Sequence, residues 1–364
     1  MIVLFVTGII ALFLIYKGSK GELPFGLELA FFLVAFIASI HYNYGNDYVT
    51  YYNYFYKWMQ MDFSWDDLVN KKYHEDFGWP FLCFIFKPVG FLWMIVFLSF
   101  FQNAVYYTLV KKFVVHKWQL FAAFIYLFNE NIYVLNMSMM RQGLAVTLCV
   151  LAWMLVYGKQ KYKIMIAMCI WFVATTMHNS AIIFAPFLFW RFIPMKNIKY
   201  LAVVIGLVFF ILLFNNNILI SIYNLAQDQE TMLWYATRHK NVEESSIGLG
   251  FILLMIPFVL SLIYLFHENG RNEDKCNIVS LSAFGFLIIP FALMNPMVRR
   301  LTFYFLPFSI VALPIVYDWL KEVPRRCFLF LYIFVTMTSY FKFFYDRVWY
   351  DFFFHFHSVF DVIF

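Results

Sequence analysis

Residues 89–110 read VGFLWMIVFLSFFQNAVYYTLV, a run without a single charge, and Lys111 and Lys112 follow at once. A helix needs roughly 20 apolar residues to cross the hydrocarbon of a bilayer. The run has that length, and it is continuously apolar instead of alternating, which excludes a strand of an outer-membrane barrel. In hydrocarbon each backbone amide must bond within its own segment, so a helix is the remaining solution. Further blocks of this kind lie near 1–16, 25–42, 118–134, 142–157, 163–177, 180–192, 200–215, 247–267, 277–294, 301–320 and 327–342. Composition agrees, at 63% hydrophobic and 13% charged residues over 364 positions, against roughly 45–50% and about 25% in soluble domains. The expected fold is an all-α polytopic integral membrane protein of about 12 transmembrane helices, a single transmembrane domain over 1–364.

Orientation follows from charge. The short alternate loops hold Lys17 and Lys20, Lys111, Lys112 and Lys117, the lysines at 159–163, Arg191, Lys196 and Lys199, Arg271 and Lys275, and Lys321, Arg325 and Arg326. They carry 16 of the 27 lysines and arginines but few of the 21 acids, which leaves that face at +9 and the opposite face at −3 within a total of +6. Cation-rich short loops mark the cytoplasmic side. The basic balance is therefore a topology signal, and it does not point to nucleic acid. Long loops at about 43–88 and 216–246 and the tail at 343–364 then fall outside. The first block has no basic residue before it and no small-residue cleavage site after it, so it reads as a retained helix and not as a secretory signal. The five cysteines lack metal-ligand spacing and read as small apolar packing residues. The tyrosines and tryptophans between Tyr42 and Trp79 read first as an interfacial belt, with a sugar-stacking platform as the alternative. No nucleotide-binding motif and no internal repeat is visible, and no cofactor or metal is expected.

Polar residues at the outer ends of spans are costly, by about 2.5–3.5 kcal/mol on insertion scales, and mark candidate sites. Arg141 and Gln142 stand in NMSMMRQGLA at 136–145, with Asn136 upstream, on the face that does not need positive charge. A guanidinium fork suits phosphate oxygens, although an arginine also snorkels to an interface. His178 lies in MHNSA at 177–181, where Asn179 and Ser180 capping the next helix is the structural alternative. Arg299 and Arg300 form a pair in NPMVRRLTFY at 295–304. Asp47 in GNDYVTYY, and Glu75 and Asp76 in YHEDFGWPFL, flank points where the chain meets the membrane; there a carboxylate can be partly desolvated and raised toward the range of a general base.

Taken in order, GNDYVTYY, the Glu-x-x-Gly element of HEDFGWPFL, NMSMMRQGLA, HNSA and a late arginine followed by Tyr304 resemble the EpsG family, a branch of the Wzy-type polysaccharide polymerases. The resemblance runs from about residue 40 to 304. Glu75 and Asp76 compete for the family's acidic position, and Arg299 and Arg300 for its late arginine. What the resemblance implies is a GT-C-like fold in the bacterial inner membrane. The implied activity is an extracytoplasmic reaction in which undecaprenyl-diphosphate-linked oligosaccharides serve as donor and acceptor. Membrane lipids, a flippase and a chain-length regulator are the further partners it implies. Glu75, His178 and Arg141 are the expected catalytic residues. Asp47, Asp76, Asn136, Gln142, Arg299, Arg300 and Tyr304 are expected to bind substrate. A single-transfer glycan ligase is the nearest alternative. A glycolipid flippase fits less well because the candidate charges gather on one face, and an acyltransferase less well because His178 sits at the outer end of its helices.

Overall fold

The computed structural model describes residues 1–62, 64–70, 72–74, 76–157, 161–192, 194, 249–294 and 300–363. The expected span at 200–215, the expected loop at 216–246, Glu75 and Arg299 lie outside the described residues. Among those described the protein is helical, and three helices are long and apolar enough to cross a membrane: α1 (Ile2–Ser19), α6 (Phe91–Phe113) and α15 (Glu322–Tyr345). Shorter apolar helices accompany them: α2 (Gly26–Ser39), α9 (Met140–Val156) and α10 (Lys163–Met177). Late in the chain come α12 (Leu249–Glu268), α13 (Glu273–Met294) and α14 (Ser309–Trp319). This is the architecture of an integral membrane protein.

Helix α1 packs on α2, α2 on α6, α9 on α10, and α12 on α13. The centre is formed by α9 and α14, each buried on nearly every side; a helix apolar all round belongs in such a position. Helix α15 is peripheral. It buries Thr336, Tyr340 and Phe344 and leaves Phe330 and Phe334 exposed to the surroundings. Acidic residues at the basic-loop end are paired, Glu28 with Lys111 at 2.7 Å and Asp274 with Arg191 at 3.5 Å.

Two expected spans take a different form. The block at 118–134 divides into α7 (Gln119–Phe128) and α8 (Tyr133–Ser138). Between them Asn129 Oδ1 accepts the N–H of Asn131 at 3.0 Å, a local bond that competes with helix continuation. The block at 180–192 is a 3₁₀ turn (Asn179–Phe184), a short α11 (Ala185–Leu188) and a second 3₁₀ turn (Trp190–Phe192). His178 leaves α10 in an extended conformation, φ −155°, and Pro186 has no N–H to extend the ladder. Such backbone is tolerated in a membrane protein where protein covers it. Trp171 Nε1 does so by donating to Ala181 O at 2.9 Å.

The segment at 43–88 folds into a cap. It contains α3 (Tyr48–Met59), α4 (Trp65–Val69) and α5 (Gly78–Phe86). Helix α3 is amphipathic and turns Tyr48, Tyr51, Phe55 and Trp58 inward, the three- and four-residue spacing of a helix face. Tyr48, Tyr51, Trp58 and Trp79 are therefore core residues of the cap, contrary to both the belt and the platform readings; Tyr54, Tyr56 and Trp65 stay exposed. The tail closes on the same end. Tyr42 N–H donates to His357 O at 2.9 Å, Gly45 N–H to Phe352 O at 3.0 Å, and Val359 N–H to Ile40 O at 2.9 Å. Of the cysteines, Cys83, Cys149 and Cys276 are buried as expected, while Cys169 and Cys327 are exposed.

Candidate functional site

The capped end of the bundle gathers most of the candidate residues. Arg141 stands in the first turn of α9, which starts after a break at Met139 (φ −90°, ψ 61°). A cation there opposes the helix dipole by about 0.3–1 kcal/mol, so the position calls for an anion. Asp76 supplies one: Arg141 Nη1 donates to Asp76 Oδ2 at 3.2 Å, and the two side chains are 20% and 8% exposed.

Asp76 reaches this place because α5 begins in contact with the last turn of α10. A Cβ on Gly78 would lie 2.8 Å from the backbone carbonyl of Thr176, so only glycine permits the approach. The same contact brings the N–H of Asn179 to Asp76 Oδ1 at 3.1 Å. His74 completes the brace. The N–H of Asp76 donates to His74 Nδ1 at 2.9 Å, and Arg141 Nη1 lies 3.1 Å from that nitrogen and 2.7 Å from Nε2. Burial and the adjoining guanidinium push the imidazole down to about 4, so His74 is neutral at physiological pH. Tyr51 lies beneath the guanidinium, with the ring centroid 5.8 Å from Arg141 Cζ. Arg141 Nε remains buried with no hydrogen-bond partner among the described residues.

His178 is organised from the other side. Its Nδ1 accepts the N–H of Ser180 at 3.3 Å and faces Ser180 Oγ at 2.7 Å. Ser180 Oγ is also 2.9 Å from the hydroxyl of Tyr304. With Nδ1 accepting, the neutral ring carries its proton on Nε2. Burial, Arg141, Arg300 and His74 together lower His178 to about 3. The imidazole is thus set as a hydrogen-bond donor and is a weak base. The helix-capping alternative is reversed: His178 caps the following turn, and Ser180 is the residue capped.

Gln142, 1% exposed, donates from Nε2 to the backbone carbonyl of Arg300 at 2.9 Å. The first turn of α9 therefore holds one arginine itself and fastens the backbone of the second. Asp47 lies within Coulombic reach of both arginines, and burial outweighs them, so its carboxyl is raised above the ordinary 3.8. Asn46 Nδ2 donates to Asp47 Oδ1 at 2.7 Å, and Ser138 Oγ donates to Asn46 Oδ1 at 2.9 Å. This link depends on Gly45, whose φ of +94° and contact with Ser138 leave no room for a side chain. Asn136 does not join the group; it fills the space behind Gly143, where a Cβ would meet its Oδ1 at 2.8 Å. Among the described residues no three of His, Cys, Asp and Glu form a metal-binding set.

A family model described as the EpsG family matches residues 27–358. The chain belongs to the EpsG family. No curated protein and no solved structure matches it. Membership of the EpsG family points to polymerase-type work in polysaccharide biosynthesis. The matched range contains every residue of the cluster just described. Sequence reasoning overlooked His74, Asn46 and Ser138, and took Tyr51 only as one of the aromatic set between Tyr42 and Trp79. His74 stood two residues before Asp76, but nothing in the sequence placed an imidazole against Arg141.

Proposed function

We propose that this EpsG-family protein joins polyprenyl-diphosphate-linked oligosaccharide repeat units into a surface polysaccharide at the extracytoplasmic face of the bacterial inner membrane. On this reading the whole chain is one transmembrane domain of about 12 spans, the count read from the hydropathy blocks of the sequence, with a GT-C-like arrangement. The observation that carries the proposal is Arg141, an arginine at a helix N-terminus that Asp76 and His74 brace and whose side chain is still 20% exposed. Helix N-termini and guanidinium groups both favour phosphate oxygens, and the diphosphate of the donor supplies them.

In the proposed reaction a hydroxyl of the acceptor glycan attacks the anomeric carbon of the donor. The new glycosidic bond forms as the bond from that carbon to the diphosphate oxygen breaks, and the electron pair leaves on the diphosphate. Arg141 and Arg300 bear the growing negative charge, and His178 Nε2–H donates toward it. Losing one such preorganised donor typically costs about 2.7–4 kcal/mol of transition-state stabilisation. Asp47 accepts the hydroxyl proton; its raised carboxyl and its position near both arginines favour it over the weakly basic His178. Gln142 and Tyr304 position Arg300 and Ser180. Flippase and chain-length proteins would supply substrate and set product length. Analysis of lipid-linked glycans in a deletion strain tests the reading. Single repeat units on the lipid carrier are expected. Normal polymer left unattached to its final acceptor would instead identify a ligase, and absence of repeat units outside the membrane a flippase.

A further inference from the structure

A cavity lies away from the arginine cluster, along α15. Its wall on that helix includes Phe328, Tyr332, Val335, Ser339, Lys342 and, just past the helix end, Asp346, the three- and four-residue spacing of a single face. From 328 to 346 the wall spans about 27 Å at 1.5 Å per residue, close to the hydrocarbon thickness of a bilayer. The cavity volume is about 470 Å³, within the range of ligand sites. It exists because α15 stands at the periphery of the bundle, and α12, α13 and α14 leave a slot behind it.

The slot is graded in polarity. Toward the basic-loop end it is bounded by Tyr317 and Phe328, with Leu306 and Phe286 along its length, whereas Glu130, Asn131 and Lys342 stand at the capped end. Its lining and the arginine cluster share one segment of chain. Thr302 and Leu306 line the slot. Tyr304, between them, reaches Ser180 in the cluster, and Arg300, two residues before Thr302, is fastened to Gln142. The 300–306 segment is thus the wall between slot and cluster.

We propose that this slot holds the isoprenoid chain of a lipid-linked saccharide, its hydrocarbon between α15 and α12–α14 and its diphosphate passed over the 300–306 wall to Arg300 and Arg141. The inference rests on the polymerase reading for the headgroup and adds the path of the tail. Two carboxylates, Glu130 and Asp346, line the mouth beside one cation, Lys342, so its charge is net negative and a phosphate is held less well there than between the two arginines. The two carboxylates accept hydrogen bonds from sugar hydroxyls. A bilayer phospholipid, whose phosphate would remain among those carboxylates, fits less well.

Binding to the purified full-length protein in detergent tests this with two probes, geranylgeranyl diphosphate and inorganic pyrophosphate. Val335→Trp and Thr336→Phe narrow the slot. Each is expected to weaken the long-chain probe by roughly tenfold, the effect of about two lost buried methylene contacts, with pyrophosphate binding unchanged. Phe330→Trp, on the exposed face of α15, should alter neither. Arg300→Ala should weaken both. Wild-type affinity for the long-chain probe in both folded slot variants would overturn the proposal, as would its full displacement by phosphatidylethanolamine supplied in nanodiscs. If the wild type failed to bind pyrophosphate, the arginine reading would fall. The slot would still stand if narrowing it weakened the long-chain probe. If a slot variant failed to fold, photocrosslinking of a benzophenone-tagged geranylgeranyl diphosphate to the wild type decides: label on α15 supports the slot, and label confined to other helices overturns it.

Discussion

Replacing Asp76 with asparagine removes one charge from a buried pair and keeps the shape. The pair is 3.2 Å apart with both side chains largely covered, and at an effective dielectric of about 20 its Coulomb energy is about 5 kcal/mol. Removing one partner of a buried pair commonly costs about 3–5 kcal/mol, because the remaining charge stays buried. Asn179 N–H also loses a charged acceptor at 3.1 Å. We expect Asp76→Asn to lower the unfolding midpoint of the detergent-purified protein by several degrees and to abolish polymer in complemented deletion cells. Arg141→Gln alone should also destabilise. The double variant should be about as stable as the worse single, so the coupling equals the smaller single effect, about 3 kcal/mol or more. Unfolding of Asp76→Asn at the wild-type temperature, or simple addition of the two effects, would mean that Asp76 does not brace Arg141.

Further outcomes follow from the same geometry. Arg141→Lys keeps the charge but loses the planar fork, so polymer length should collapse nearly as in Arg141→Ala; full-length polymer at normal protein level would remove Arg141 from the reaction. Asp47→Asn should stop polymerisation more completely than His178→Ala, and wild-type activity should rise with pH through a midpoint above 3.8, since the raised carboxyl must lose its proton to act; unchanged polymer in Asp47→Asn together with loss in Glu75→Gln would move the base to Glu75. His74 and His178 have folded values depressed to about 4 and about 3 from an ordinary 6.5. Their contribution is present above pH 6.5 and is lost as pH falls toward those values, because the unfolded chain takes up protons that the fold refuses; unfolding temperature measured from pH 7 to 4 should fall, and less steeply in His74→Gln. A cysteine at exposed Val69 should react with an impermeant reagent in intact cells and one at Lys161 should not; the reverse pattern would invert the topology.

The class of protein is legible in the amino-acid sequence, because transfer of apolar side chains into hydrocarbon is additive along a chain and leaves its mark as block length. The sequence also singled out Arg141, His178 and the pair Arg299 and Arg300, since charge at a membrane interface must be explained wherever it occurs. Local chemistry that tertiary contact overrides was less legible. The aromatic stretch from Tyr48 to Trp79 has the same composition whether it meets lipid, sugar or its own cap, and only the packing of α3 turned Tyr51 and Trp58 inward. The blocks at 118–134 and 180–192 are apolar enough for spans, yet side-chain bonds at Asn129 and His178 and the ring of Pro186 interrupt them. The cluster itself arises from contacts between distant segments. His74 meets Arg141 across 67 residues, Asp76 meets Asn179 across 103, Ser180 meets Tyr304 across 124, and Gln142 meets Arg300 across 158. Those contacts depend on how helices are rotated and how closely they approach, at Gly78 on Thr176 and Gly45 on Ser138. Hydropathy is a property of each segment alone, whereas rotation and close approach belong to pairs of segments.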